Sequence, residues 1–220
     1  MHVKIKVCRV NDVDTAIRLE RLGVDFVGIH MKSNVIYDKE ILYKTLAREL
    51  VKAGLVVVTR TKDIELLGHI INKLEPEYLQ LHSRWSKKES EELRKVIQRW
   101  GRTTKVIGVV ALETSASTDL ISDLVDVWDY MLFDSSFGGG TGILIREEIL
   151  RTAAGIAKSY GTPFFIAGGL NPENVGYYVR TYRPYGVDVQ SGVEVKGTSQ
   201  KDLSKVEKFI TECRKSSHNH

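Results

Sequence analysis

Along the chain, short runs of apolar, mostly β-branched residues alternate with longer stretches whose apolar positions recur every three to four residues. The first kind reads as buried strand and the second as amphipathic helix. The alternation predicts eight strand–helix pairs: 3–8 with 13–22, 24–30 with 39–52, 55–59 with 64–74, 78–82 with 86–100, 105–111 with 119–125, 130–134 with 146–160, 163–167 with 172–181, and 186–190 with 199–213. Eight pairs in a row, with no Pro/Ser linker between them, point to one α/β domain, a (β/α)8 TIM barrel over residues 1–214. An open doubly wound sheet usually has five or six strands. Local signals mark some boundaries. Asn171-Pro172 sets a cap residue before a proline at the first helical position, and Ser86 with Glu89 fits a capping box. Residues 215–220 are polar and read as a frayed C-terminal tail.

Composition narrows the classes. The chain has 220 residues, 42% of them hydrophobic and 27% charged, with a formal net charge of +4. That suffices for a sizeable core and says little about partners, because the charges are spread out. The densest basic stretch, with Lys87, Lys88, Arg94 and Lys95, is interleaved with glutamates and reads as a solvated helix face, so no nucleic-acid partner is expected. No apolar run approaches the ~18 residues of a membrane helix. The N-terminal residues enter a strand pattern directly, without a signal-peptide h-region, so the expected location is cytoplasmic. The two cysteines, Cys8 and Cys213, lack the spacing of a disulfide framework or a structural zinc site.

In a parallel barrel the functional side chains sit at the C-terminal ends of the strands. Here these ends carry Cys8-Arg9, His30 with Lys32 just beyond, Thr59-Arg60, Gln80 and His82, Glu113-Thr114, Asp134 followed by Gly138 to Gly142, Gly168-Gly169, and Asp188 followed by Ser191-Gly192. Glycine lets the backbone approach a phosphate closely, and the loops after strands seven and eight are where barrels commonly build a phosphate site. One such loop could equally be a tight turn; two at these places favour the phosphate. Taken alone, Cys8 could be a small buried hydrophobe and Asp134 a turn residue. His82 could orient a site or pack at the barrel mouth. Convergence of Cys8, His30, His82 and Asp134 on a metal has no supporting H-x-H or C-x-x-C spacing.

Cys8, Gln80-Leu81-His82, Asp134 followed by GGGTG, IAGGLNPENV at 166–175 and VDVQSGVE at 187–194 together resemble the phosphoribosylanthranilate isomerase family of tryptophan biosynthesis. The resemblance runs from about residue 3 to about residue 210. It implies a cofactor-free (β/α)8 enzyme, a monomer or homodimer, that performs an Amadori rearrangement on a small phosphorylated sugar. It further implies Asp134 as general acid and Cys8 as general base. Gly168, Gly169, Ser191 and Gly192 would hold the ribose phosphate, with Asp188 beside it, and Gly139 and Gly140 would belong to a loop over the sugar. A thiol needs electropositive neighbours to act as a thiolate near neutrality, and Lys6 or Arg9 could supply them.

Three positions depart from the family pattern. Arg9 stands where the family has glycine. The segment 31–36 lacks the arginine that binds the anthranilate carboxylate, leaving Arg9, Lys32 and His82 as possible aglycone contacts. Gly108 replaces a strand-five lysine. These departures keep open a paralogous barrel isomerase for another phosphorylated sugar adduct, or a catalytically silent barrel that binds a phosphometabolite. Retention of Cys8 and Asp134 favours an enzyme, and Asp134 in place of a lysine after strand six disfavours a Schiff-base aldolase.

Overall fold

The computed structural model describes residues 2–31, 37–138 and 143–218. Eight strands run parallel: β1 (Lys4–Val7), β2 (Phe26–Met31), β3 (Gly54–Thr59), β4 (Tyr78–Leu81), β5 (Lys105–Ala111), β6 (Tyr130–Asp134), β7 (Phe164–Ile166) and β8 (Gly186–Val189). Their order is sequential and the sheet closes on itself, β8 pairing with β1 in the register Lys6↔Asp188. Between and after them lie α1 (Val13–Leu22), α2 (Tyr37–Glu49), α3 (Ile64–Leu74), α4 (Lys87–Arg99), α5 (Asp119–Leu124), α6 (Glu147–Ser159), α7 (Val175–Tyr182) and α8 (Leu203–His218). No described helix is long and apolar enough to cross a membrane.

Strand periodicity divides the core into two layers. Val7, Val27, Ile29, Val57, Leu79, Leu81, Val106, Val110, Met131, Phe133, Ile166 and Val187 face outward and pack under the helices. The residues between them face inward, where Phe26, Val56, Val58, Ile107, Val109, Leu132 and Phe165 fill the barrel. The same alternation turns Lys6, Cys8, His30, Gln80, Asp134 and Asp188 toward the barrel axis, each lying next to an outward apolar neighbour on its strand.

The predicted helix boundaries need four corrections. Helix α2 stops at Glu49 instead of continuing to residue 52, because Glu20 Oε1 accepts the N–H groups of Val51, Lys52 and Ala53 at 2.9, 2.7 and 2.8 Å. Helix α7 starts at Val175 instead of Pro172. Asn171 instead closes a turn, its Oδ1 accepting from the Glu173 and Asn174 N–H groups. Helix α8 starts at Leu203 instead of residue 199, after a segment tied down by the Asp202 N–H to the Val193 carbonyl. It then runs on through His218, so the tail is helical that far. Ser216 is buried and accepts a hydrogen bond from Arg180 at 2.7 Å. The capping box at Ser86 and Glu89 is present as predicted.

Candidate active site

A cavity of about 280 Å³ opens at the C-terminal ends of the strands. Cys8 and Asp134 line it from β1 and β6. Each is separated from the other by β7 and β8, whose loops form the wall between them.

Asp134 is 7% exposed. Its Oδ1 accepts from the Ser135 N–H at 2.7 Å, yet burial, and then the nearby Asp188 charge, push its carboxyl up to about 6. A carboxyl so placed holds its proton close to neutrality, as a general acid requires. Burial pushes the Cys8 thiol up, against the opposing charge of Lys6. Lys6 is wholly buried inside the barrel and donates to Asp188 Oδ2 at 2.9 Å. Burial works against its charge, but Asp188 and Cys8 outweigh this and raise its pKa, while burial also raises that of Asp188 against the pull of Lys6. Cys8 Sγ also lies 3.2 Å from His30 Nε2.

One glycine in each of the β7 and β8 loops allows a close approach, Gly168 to the end of β6 and Gly192 to the β7 loop. Gly168 has a left-handed φ of 77°, and a Cβ on it would lie 2.9 Å from Asp134 Oδ1 and 2.8 Å from the Ser135 nitrogen. A Cβ on Gly192 would strike the Leu170 carbonyl, so the two loops touch backbone to backbone. Gly168, Gly169 and Ser191 line the cavity there with Asp188.

Across the barrel, His30, Arg60, Gln80 and His82 line the opposite wall. His30 falls to about 3 and His82 to about 4, burial being the main cause in each, with neighbouring cations adding to it. Both rings are therefore neutral at pH 7. Gln80 Oε1, His82 Nε2 and Asp188 Oδ1 are buried without a hydrogen-bond partner among the described residues, which leaves polar atoms on both walls for a ligand.

The predicted site residues fare differently. Cys8, Arg9, His82, Asp134, Gly168, Gly169, Asp188 and Ser191 come together around one cavity, with Gly192 just behind. Lys32, Gly139 and Gly140 lie outside the described residues. Arg9 occupies a left-handed backbone position, φ 58°, which explains why glycine suits this place. Its guanidinium forks onto Glu194 at 2.8 and 3.3 Å, and Glu194 also receives Lys201 at 2.7 Å. Gly108 is not part of the cavity wall. It shares the outward face of Val106 and Val110, and the Trp128 ring fills the space where its side chain would be. The sequence alone names His30 and Arg60 as strand ends, and Glu194 within the 187–194 motif, without a role at the cavity. The inward phase of β2 and the position two beyond inward Val58 were signals that could have found the first two. No group of three or more His, Cys, Asp or Glu placed to hold a metal occurs among the described residues.

A closed parallel barrel with a perturbed carboxyl and a thiol beside glycine loops after its last two strands defines an acid–base enzyme of the (β/α)8 class. Comparison with known proteins then places it more narrowly. A family model described as N-(5'-phosphoribosyl)anthranilate (PRA) isomerase matches residues 5–212, and the chain belongs to that family. It is 30% identical to N-(5'-phosphoribosyl)anthranilate isomerase of Bacillus cereus (strain G9842), over 98% of this chain and 100% of that one. Its fold is similar to the phosphoribosyl anthranilate isomerase of Thermotoga maritima, with TM-score 0.79 and 22% identity over 97% of this chain and 99% of that one. Its fold is also similar to that of a phosphoribosyl anthranilate isomerase in complex with reduced 1-(o-carboxyphenylamino)-1-deoxyribulose 5-phosphate, with TM-score 0.76 and 22% identity over 97% and 99% of the two chains.

Proposed function

We propose that this chain converts N-(5'-phosphoribosyl)anthranilate to 1-(2-carboxyphenylamino)-1-deoxyribulose 5-phosphate, a step of tryptophan biosynthesis. The observation that carries the reading is the placement of Asp134 and Cys8 on one cavity, flanking the β7 and β8 loops. The ribose phosphate binds at Gly168, Gly169, Ser191 and Gly192, where the missing side chains let Gly168 pack on Asp134 and Ser135 and Gly192 pack on the Leu170 carbonyl, so that the loops after β7 and β8 close up at the cavity. Gly139 and Gly140 cover the sugar. Asp134 gives its proton to the furanose ring oxygen, the bond from C1' to that oxygen breaks, and the nitrogen lone pair completes a cationic Schiff base. Cys8, as thiolate, takes the proton from C2', and its electrons neutralise the iminium to give an aminoenol. Tautomerisation to the C2' ketone completes the rearrangement without net oxidation. Lys6 offsets part of the cost that burial sets on the Cys8 thiolate, and Asp188 holds Lys6 in place. The reading includes a cytoplasmic location, supported by two buried, unpaired cysteines, and a monomer or homodimer.

The test is loss of anthranilate-adduct fluorescence with purified protein. Wild type should turn over, and Cys8→Ser and Asp134→Asn should each lose on the order of 10²–10⁴ in kcat while still binding the reduced product analogue. Near-full activity in either variant rejects the acid–base assignment, and an inactive wild type rejects the reaction.

A further inference from the structure

The substrate of that reaction carries two anions, a ribose phosphate and an aglycone carboxylate, and the barrel order places them apart. The phosphate loops follow β7 and β8, while β3 and β4 lie diametrically across the closed sheet. Asp134 and Cys8 flank the phosphate side, from β6 and β1, so the sugar extends from there and its aglycone reaches the β3–β4 wall.

The other described cations near the cavity are already held by carboxylates. Lys6 belongs to Asp188, and both Lys201 and Arg9 belong to Glu194. Arg60 differs. It follows β3, lines the cavity, and among the described residues its side chain makes one hydrogen bond, from Nη2 to the Gly138 carbonyl at 2.8 Å. No described carboxylate forms an ion pair with it. Beside it, His30 and His82 are neutral polar rings, and Phe137 meets the His82 ring edge-on with centroids 6.4 Å apart, a surface suited to an aromatic group.

Resting on the reading above, we propose that Arg60 binds the aglycone carboxylate and so sets the preference of this enzyme for an acidic aromatic amine. A guanidinium can grip a carboxylate with two parallel N–H donors while its third nitrogen or backbone neighbours keep the loop contact. Arg9 cannot serve in the same way without leaving Glu194.

The experiment compares two ligands: the reduced carboxyphenylamino product analogue and its phenylamino counterpart without the carboxyl group. Wild type should bind the first more tightly by on the order of 10- to 100-fold. Arg60→Gln should bring that ratio close to one by weakening only the carboxylated ligand, and Arg60→Lys should restore part of it. In turnover, Arg60→Gln should raise KM by a similar factor and leave kcat largely intact. Arg9→Gly should keep the discrimination. A full ratio in Arg60→Gln, or its loss in Arg9→Gly, overturns the assignment to Arg60. Wild type that binds neither ligand overturns the function itself, and the role of Arg60 with it.

Discussion

Asp134 shows a conflict between stability and chemistry at a single residue. Its folded pKa of about 6 lies above the ordinary 3.8, so the folded state binds the proton more tightly than the unfolded chain does. Stability is therefore lost as pH rises through the window between the two values, and the cost persists above it. Asp134→Asn should stabilise the protein by about 3 kcal/mol at pH 8 and by about half that at pH 5. Urea unfolding of both proteins at the two pH values measures this, and a gain that does not depend on pH would contradict it. This residue and Cys8 were legible in the sequence because they end strands in a barrel pattern. Lys6 was legible as a charge near Cys8, but its pairing was not, since Asp188 lies 182 positions away. His30 and Arg60 were passed over because a histidine or arginine at a strand end has many ordinary uses. Their inward facing follows from strand alternation, but which inward side chains share one cavity depends on a register that only the closed sheet fixes.

At the scale of elements, the proposed phosphate wall is a backbone contact in which the β8 loop leaves room for the β7 loop at Gly192. Gly192→Ala should force the Ser191 turn away from Leu170, since the obstacle is a carbonyl and not the end of a flexible side chain. The expected cost is about 1–3 kcal/mol of stability, with weaker binding of inorganic phosphate in the same variant. Calorimetric titration and urea midpoints together check it, and unchanged phosphate binding would remove the β8 loop from that site. The eight strand–helix pairs were readable because β-branched runs and 3.6-residue spacing agree along the whole chain. The misplaced helix ends have physical causes that periodicity does not carry. Glu20 captures three N–H groups 31 to 33 residues away, and Asn171 spends its cap-forming oxygen on a turn before the helix.

At the scale of the whole molecule, α8 closes the outer ring. It packs on α1 and α7, and its last turn is held by Arg180 and Ser216. Ending the chain at Arg214 should therefore lower Tm by about 2–8 °C, which differential scanning calorimetry would read. An unchanged Tm would mean that the final turn contributes nothing. The register that joins β1 to β8 has a further consequence for synthesis. The proposed base leaves the ribosome with the first strand, the proposed acid with the sixth, and the carboxylate that anchors Lys6 with the eighth. A nascent chain therefore carries an unpaired inward lysine and two open sheet edges through most of its translation. On the proposed acid–base assignment, either half of a chain cut between β4 and β5 should be inert by itself, one holding the thiol and the other the carboxyl, with activity expected only when the last strand meets the first.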